Sequence, residues 1–139
     1  MNVVSLYRPV GVKELELIAG LNWRAFPPRL DWQPIFYPVL NQAYAEQIAR
    51  EWNTADDFSG NCGIVLEFAL TADHLKKYDI QNVGGEIHNE LWVPAEELAD
   101  FNKNIIGSIK VIQAFFGPTF IMPCNAEIAD ILKQYRNDD

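Results

Sequence analysis

The chain has 139 residues, 49% hydrophobic and 22% charged, which fits one globular domain with a real core rather than a disordered segment. Its 19 acidic and 11 basic residues give a formal charge of −8, a surface that repels phosphate backbones and argues against general nucleic-acid binding. No apolar run reaches the ~18 residues of a membrane helix, and no secretory pattern opens the chain. The separated cysteines Cys62 and Cys124 and the two histidines, His74 and His88, lead us to expect neither a disulfide framework nor a metal, in a reducing cytoplasm.

In chain order, Val3 to Tyr7 reads as a strand stopped by Arg8-Pro9. Val12 to Ala19 has helical spacing, with Gly20 as its C-terminal cap. Leu21 to Pro34 carries three prolines and no clean period, so it is a structured loop. Ile35 to Val39 is an edge strand, since Pro38 lacks an N–H. Asn41 caps a helix with Tyr44, Ala45, Ile48, Ala49 and Trp52 on one face. Asn53 to Asn61 is a loop.

Cys62 to Leu70 alternates as a strand, and Thr71 to Tyr78 is a helical turn capped by Thr71. Gly84-Gly85 marks a turn or hinge before the short strand Glu90 to Val93. Pro94 then occupies a first helical position, with Glu96 and Glu97 in the favourable first turn and Leu98 and Phe101 facing inward. Ile109 to Phe116 is the best candidate for a central strand; Gly117-Pro118 ends it. Ile128, Ile131, Leu132 and Tyr135 stripe a final amphipathic helix, whose apolar face is a candidate homodimer contact. This alternation of short helices and irregular strands predicts a mixed α+β fold with an antiparallel-rich split sheet.

No phosphate-binding glycine loop, nucleophile elbow or zinc-protease helix is present. Three segments carry candidate chemistry. In Leu6-Tyr7-Arg8-Pro9, the Arg8 fork suits a phosphate or carboxylate, or serves a strand-end salt bridge. The proline-stiffened run from Phe26 to Pro38 offers Arg29, Phe36 and Tyr37 as a pocket wall that stacks a flat ring and holds an anion, or is a rigid cover on the core. In Gly84 to Pro94, a strand-start Glu90 is a rigid carboxylate able to stabilise a sugar oxocarbenium ion, with His88 two residues earlier on the same face, or simply a solvated acid.

Together these segments resemble the ADP-ribosyltransferase fold, whose three motifs carry Arg or His, Ser or Tyr, and Glu. The runs Leu6-Tyr-Arg-Pro-Val, Phe26-Pro-Pro-Arg-Leu, Pro34-Ile-Phe-Tyr-Pro-Val-Leu-Asn and Glu90-Leu-Trp-Val-Pro-Ala-Glu-Glu-Leu resemble a group of small bacterial proteins loosely called "ADP-ribosylation/crystallin J1". The likeness covers residues 3–116 of one domain, 1–139, and leaves 118–139 as a C-terminal helical extension. It implies NAD as substrate, with Arg8 on its ribose or pyrophosphate and Tyr37 packing on nicotinamide, Tyr44 being the alternative. It also implies that Glu90 holds the ribose and stabilises the developing cation. Tyr7, Arg29 and Phe36 complete the expected cofactor pocket. His88 stands where several relatives place Glu or Gln, which points away from arginine as acceptor; the acceptor itself stays open. The competing reading is a non-catalytic binding or immunity-type module acting through an acidic, aromatic face around Trp23 and Trp32; a ligand sensor with the same cleft is a third.

Overall fold

The opening strand is longer than its sequence suggests. In the computed structural model, which describes residues 2–136, β1 spans Val3–Val10 and runs straight through Arg8-Pro9. Tyr7 exchanges both backbone hydrogen bonds with Val39, at 2.9 and 2.8 Å. Amides of a strand alternate sides, so Pro9, two residues on, lacks its N–H on the side away from the main ladder and costs that ladder nothing.

Helix α1 (Val12–Gly20) follows. Gly20 is its last residue rather than its cap. The chain is turned out of the helix by Asn22 and Trp23, both at positive φ (60° and 61°), and the Trp23 amide bonds back to Ile18 O. Strand β2 is only Ile35–Phe36; Tyr37-Pro38 interrupts the expected strand before Val39 rejoins it as an isolated bridge. Helix α2 (Gln42–Glu51) is capped by the Asn41 side chain, which accepts from the Ala43 amide. Its inward face is Tyr44, Ala45 and Ala49; Trp52, expected on that face, is exposed beyond the helix end.

Strand β3 (Cys62–Thr71) is followed by the single turn α3 (Ala72–Leu75), shorter than expected and without a side-chain cap from Thr71. Strand β4 (Asp79–Asn82) was not foreseen. Strand β5 (Asn89–Pro94) includes Pro94, which precedes rather than begins the turn leading into α4 (Leu98–Lys103). Strand β6 (Ile105–Phe116) and helix α5 (Ala126–Lys133) complete the chain.

The result is a mixed α+β fold with two three-stranded antiparallel sheets, ordered β1-β3-β6 and β2-β5-β4. The centre of the first sheet is β3, not β6, a correction with a clear cause. Cys62 to Leu66 are buried without a break because β3 is covered on both faces, whereas β6 is an edge strand whose register slips twice against β3. Gly63 permits the cover by α2: a Cβ there would lie 2.3 Å from Ala49 O.

On the other face, Phe26, Phe36, Phe68 and Phe101 pack ring to ring at 4.9–6.0 Å in one core with Leu6, Leu15 and Leu66. Ile128 and Leu132 of α5 are fully buried in that same core, and the Tyr135 hydroxyl donates to Val111 O, so the C-terminal helix packs on its own domain. Among the described residues no helix is long and apolar enough to cross a membrane.

The join between the sheets matters most for function. Val39 bridges Tyr7 on one side and Glu90 on the other. That sets the backbones bearing the first and third candidate segments two strand spacings apart, roughly 10 Å.

Candidate functional site

A cleft of about 830 Å³ opens over this join. Arg8, Arg29, Tyr37 and Glu90, drawn from three separated segments, all line it. Four other expected residues lie outside its lining. Tyr44, Phe36 and His88 stand behind it, and Tyr7 is half-buried beside Val39, where burial and then the negative charge of Glu67 push its phenol upward.

Glu90 is held by two donors. The Tyr44 hydroxyl donates to Oε2 at 2.5 Å, and the Trp92 indole N–H donates to Oε1 at 3.1 Å. Burial raises the proton affinity of the Tyr44 phenol well above its ordinary value, and its bond to the Glu90 carboxylate raises it further, so Tyr44 is a lasting donor. His88 supports Tyr44 from behind, its ring 4.7 Å from the tyrosine ring. The Gly85 amide donates to His88 Nδ1 at 2.9 Å, which makes Nδ1 the acceptor and Nε2 the N–H that donates to Gln47 Oε1 at 2.9 Å. Both ring nitrogens are thereby committed to the protein, and His88 acts on Glu90 only through Tyr44.

Arg8 is 8% exposed and grips Glu14 with two nitrogens, Nε–Oε2 at 2.7 Å and Nη2–Oε1 at 3.0 Å. Its guanidinium lies 4.5 Å from the Phe36 ring centre, and the third nitrogen reaches Tyr37 O at 3.4 Å. The strand-end salt bridge foreseen as one of two roles for Arg8 is thus present, inside the cleft. Arg29 differs. Its Nε donates to Ile35 O at 3.2 Å and its guanidinium stands 5.7 Å from the same Phe36 ring, yet among the described residues no carboxylate pairs with it. Burial and then the nearby positive charge of Arg8 lower its proton affinity, partly offset by Glu14 and Tyr37; an arginine nevertheless stays charged. Arg29 is therefore the cation of the cleft best placed to take an anion.

Phe36, expected to line the pocket, is instead 1% exposed and serves as the floor beneath both arginines. Tyr37 is exposed and meets Trp92 edge to face at 5.8 Å, which leaves aromatic surface beside Glu90. Trp32, Trp52 and Phe58 stand exposed on the other rim, whereas the indole of Trp23 donates to Glu127 and is half-buried, away from the cleft.

Sequence reasoning missed Glu14, Trp92 and Gln47. Trp92 had a usable signal: two residues after Glu90 in a strand, it shares its face. Glu14 had none, because its meeting with Arg8 depends on how α1 folds back at Gly11. No cluster of three or more potential ligands is placed to hold a metal ion among the described residues. Comparison with family models, with curated proteins and with solved structures gave no match.

Proposed function

We propose that this chain is an ADP-ribosyltransferase-like domain that binds NAD in the cleft and breaks its nicotinamide–ribosyl bond, in a cytoplasmic setting. The observation that carries the reading is Glu90: a carboxylate pinned by Tyr44 and Trp92 in the lining of a cleft that also holds Arg29, with which no carboxylate pairs among the described residues. The cleft volume lies within the range of small-molecule sites. The join at Val39 brings residues of the three sequence segments, Arg8, Arg29 with Tyr37, and Glu90, to one cleft, which is what this reading requires.

In this reading Arg29 and Lys13 hold the pyrophosphate, while Arg8, already paired to Glu14, braces the wall. The Tyr37–Trp92 pair offers its aromatic surface to nicotinamide. As the C1′–N bond breaks, its electron pair leaves with nicotinamide and positive charge develops on the ribose. The Glu90 carboxylate, unable to swing away, accepts from the ribose hydroxyl and stabilises that charge. The acceptor nucleophile then bonds to C1′ and releases its proton.

The test is nicotinamide release from NAD by the purified protein, with a Glu90→Gln variant. Gln keeps the shape and removes the charge, so the rate should fall about 10²–10³-fold while NAD still binds. Equal rates in the two proteins would end the catalytic reading. The exposed Trp32, Trp52 and Phe58 favour a second reading, a non-catalytic module that covers this rim with a protein partner. It predicts no NAD binding at all.

A further inference from the structure

The rim of the cleft away from Tyr37 and Trp92 carries side chains that the chemistry at Glu90 does not use. Leu17, Leu30, Trp32, Trp52 and Phe58 are all exposed, and all line this one opening. Trp32 is 67% exposed, Trp52 60% and Phe58 68%, and the Trp32 and Phe58 rings meet edge to face at 6.2 Å. Single exposed apolar side chains are ordinary; a group of them gathered around one opening marks an interaction surface.

The group stands on stiff backbone. Trp52 and Phe58 belong to the segment after α2, which is clamped at two glycines. A Cβ at Gly11 would lie 2.5 Å from Ser59 Cα, and one at Gly117 would lie 2.1 Å from Thr54 O. Within the segment, Asn53 Nδ2 donates to Ser59 Oγ at 2.9 Å, and Ser59 Oγ donates to Asp56 Oδ2 at 2.6 Å. Trp32 sits in a turn closed twice: the Leu30 amide donates to Gln33 Oε1 at 3.1 Å, and the Gln33 amide donates to Leu30 O at 2.8 Å. Little backbone freedom is lost when a partner arrives, and aromatic anchors of this kind are where binding energy concentrates.

Charge selects the partner. Each ring has an exposed carboxylate as its chain neighbour: Asp31 before Trp32, Glu51 before Trp52 and Asp57 before Phe58. The side chains of adjacent residues stay within about 10 Å of each other whatever their rotamers, one Debye length at 0.1 M salt. Asp56, in the cleft lining, adds to the same field. Against these carboxylates stand Lys13, also in the lining, and Arg50, whose Nη2 lies 3.5 Å from Glu51 Oε2. The chain as a whole carries −8. A second copy, a nucleic acid or an anionic lipid surface is repelled at long range, whereas a cationic partner is drawn in. An arginine there can lie on an exposed ring as well as pair with a carboxylate.

We infer that this rim is a docking surface for a basic protein segment, one that carries apolar side chains among its arginines or lysines. The cations meet the aromatic rings and their neighbouring carboxylates, and the apolar groups cover Leu17 and Leu30. This interaction goes beyond NAD binding and does not rest on it.

The experiment titrates the intact chain calorimetrically with three short synthetic peptides: alternating arginine and leucine, alternating glutamate and leucine, and alternating arginine and glycine. The arginine–leucine peptide should bind saturably and at least about tenfold more tightly than either of the others. Trp32→Ala and Phe58→Ala, both at exposed positions, should each weaken it about tenfold. Equal binding of the arginine–leucine and glutamate–leucine peptides removes the basic partner. Equal binding of the two arginine peptides, or wild-type affinity in both variants, shows attraction to acidic surface at large and overturns the docking site. Sedimentation of the chain alone supplies the last arm: self-association lost in Trp32→Ala would assign the rim to a second copy and overturn the inference.

Discussion

Replacing Glu14 by alanine would expose how far Arg8 depends on its partner. Arg8 has 10% of its side chain exposed and Glu14 23%, so the pair is nearly buried. Breaking a buried ion pair by removing one member costs about 3–5 kcal/mol, because the other charge is stranded. Two features reduce that here. Water reaches Glu14's position, and the Phe36 ring at 4.5 Å keeps an attraction for the guanidinium worth about 0.5–2 kcal/mol. The expected loss is about 2–3 kcal/mol, which for a domain of this size lowers Tm by roughly 5–12 °C. Thermal unfolding followed by circular dichroism reads it directly. A second readout is specific to the cleft: with Glu14 gone, a bound pyrophosphate can take its place, so inorganic pyrophosphate should recover part of the lost Tm in Glu14→Ala and do less for wild type. A Tm within 2 °C of wild type would refute the reasoning, since Arg8 would then not need a carboxylate.

Three further outcomes follow from the geometry. Tyr44→Phe removes a donor to Glu90 without changing packing; because Glu90 is only part-buried, the stability cost should be about 1 kcal/mol, and nicotinamide release should fall about tenfold as the carboxylate loses its fixed position. Gly63→Ala drives a methyl group into Ala49 O, so separating α2 from β3 should cost about 1–3 kcal/mol in urea unfolding; an unchanged midpoint would mean that α2 does not rest on β3. Alkaline pH should weaken the fold. Burial pushes the Cys62 thiol from 9.0 to about 12 and, ahead of the negative charges of Glu97 and Asp100, pushes the Tyr78 phenol from 10.0 to about 12; Tyr44 is raised also. These groups keep their protons longer when folded, so their contribution is complete below pH 9 and is lost as pH rises toward 12. Tm measured from pH 8 to 10.5 should fall, and a flat profile would contradict the burial of these side chains.

How much of this was legible beforehand depended on whether a feature was local. Helix α2 was readable because Asn41 caps it and its apolar residues recur at helical spacing. The turn and short strand around Glu90 were readable because glycines precede a compact apolar run. Features set by neighbours were not. Pro9 looked like a strand stop because only the pairing of Tyr7 with Val39 reveals which side its missing N–H faces. β6 looked central because it is apolar, but burial on both faces is a property of β3's neighbours. β4 is short and polar, and forms by pairing with β5, so nothing local announces it. In the cleft, the residue types of Arg8, Arg29, Tyr37 and Glu90 signalled their chemistry, while the partner that occupies Arg8 and the donors that lock Glu90 came from packing.

The most direct test of the central claim is calorimetric titration of the intact protein with NAD, beside an Arg29→Ala variant. A cleft that takes a dinucleotide should give saturable one-site binding in wild type, weakened about tenfold or more when the Arg29 guanidinium is removed. Absence of binding at millimolar NAD, or equal binding in Arg29→Ala, would contradict the assignment of this cleft to NAD.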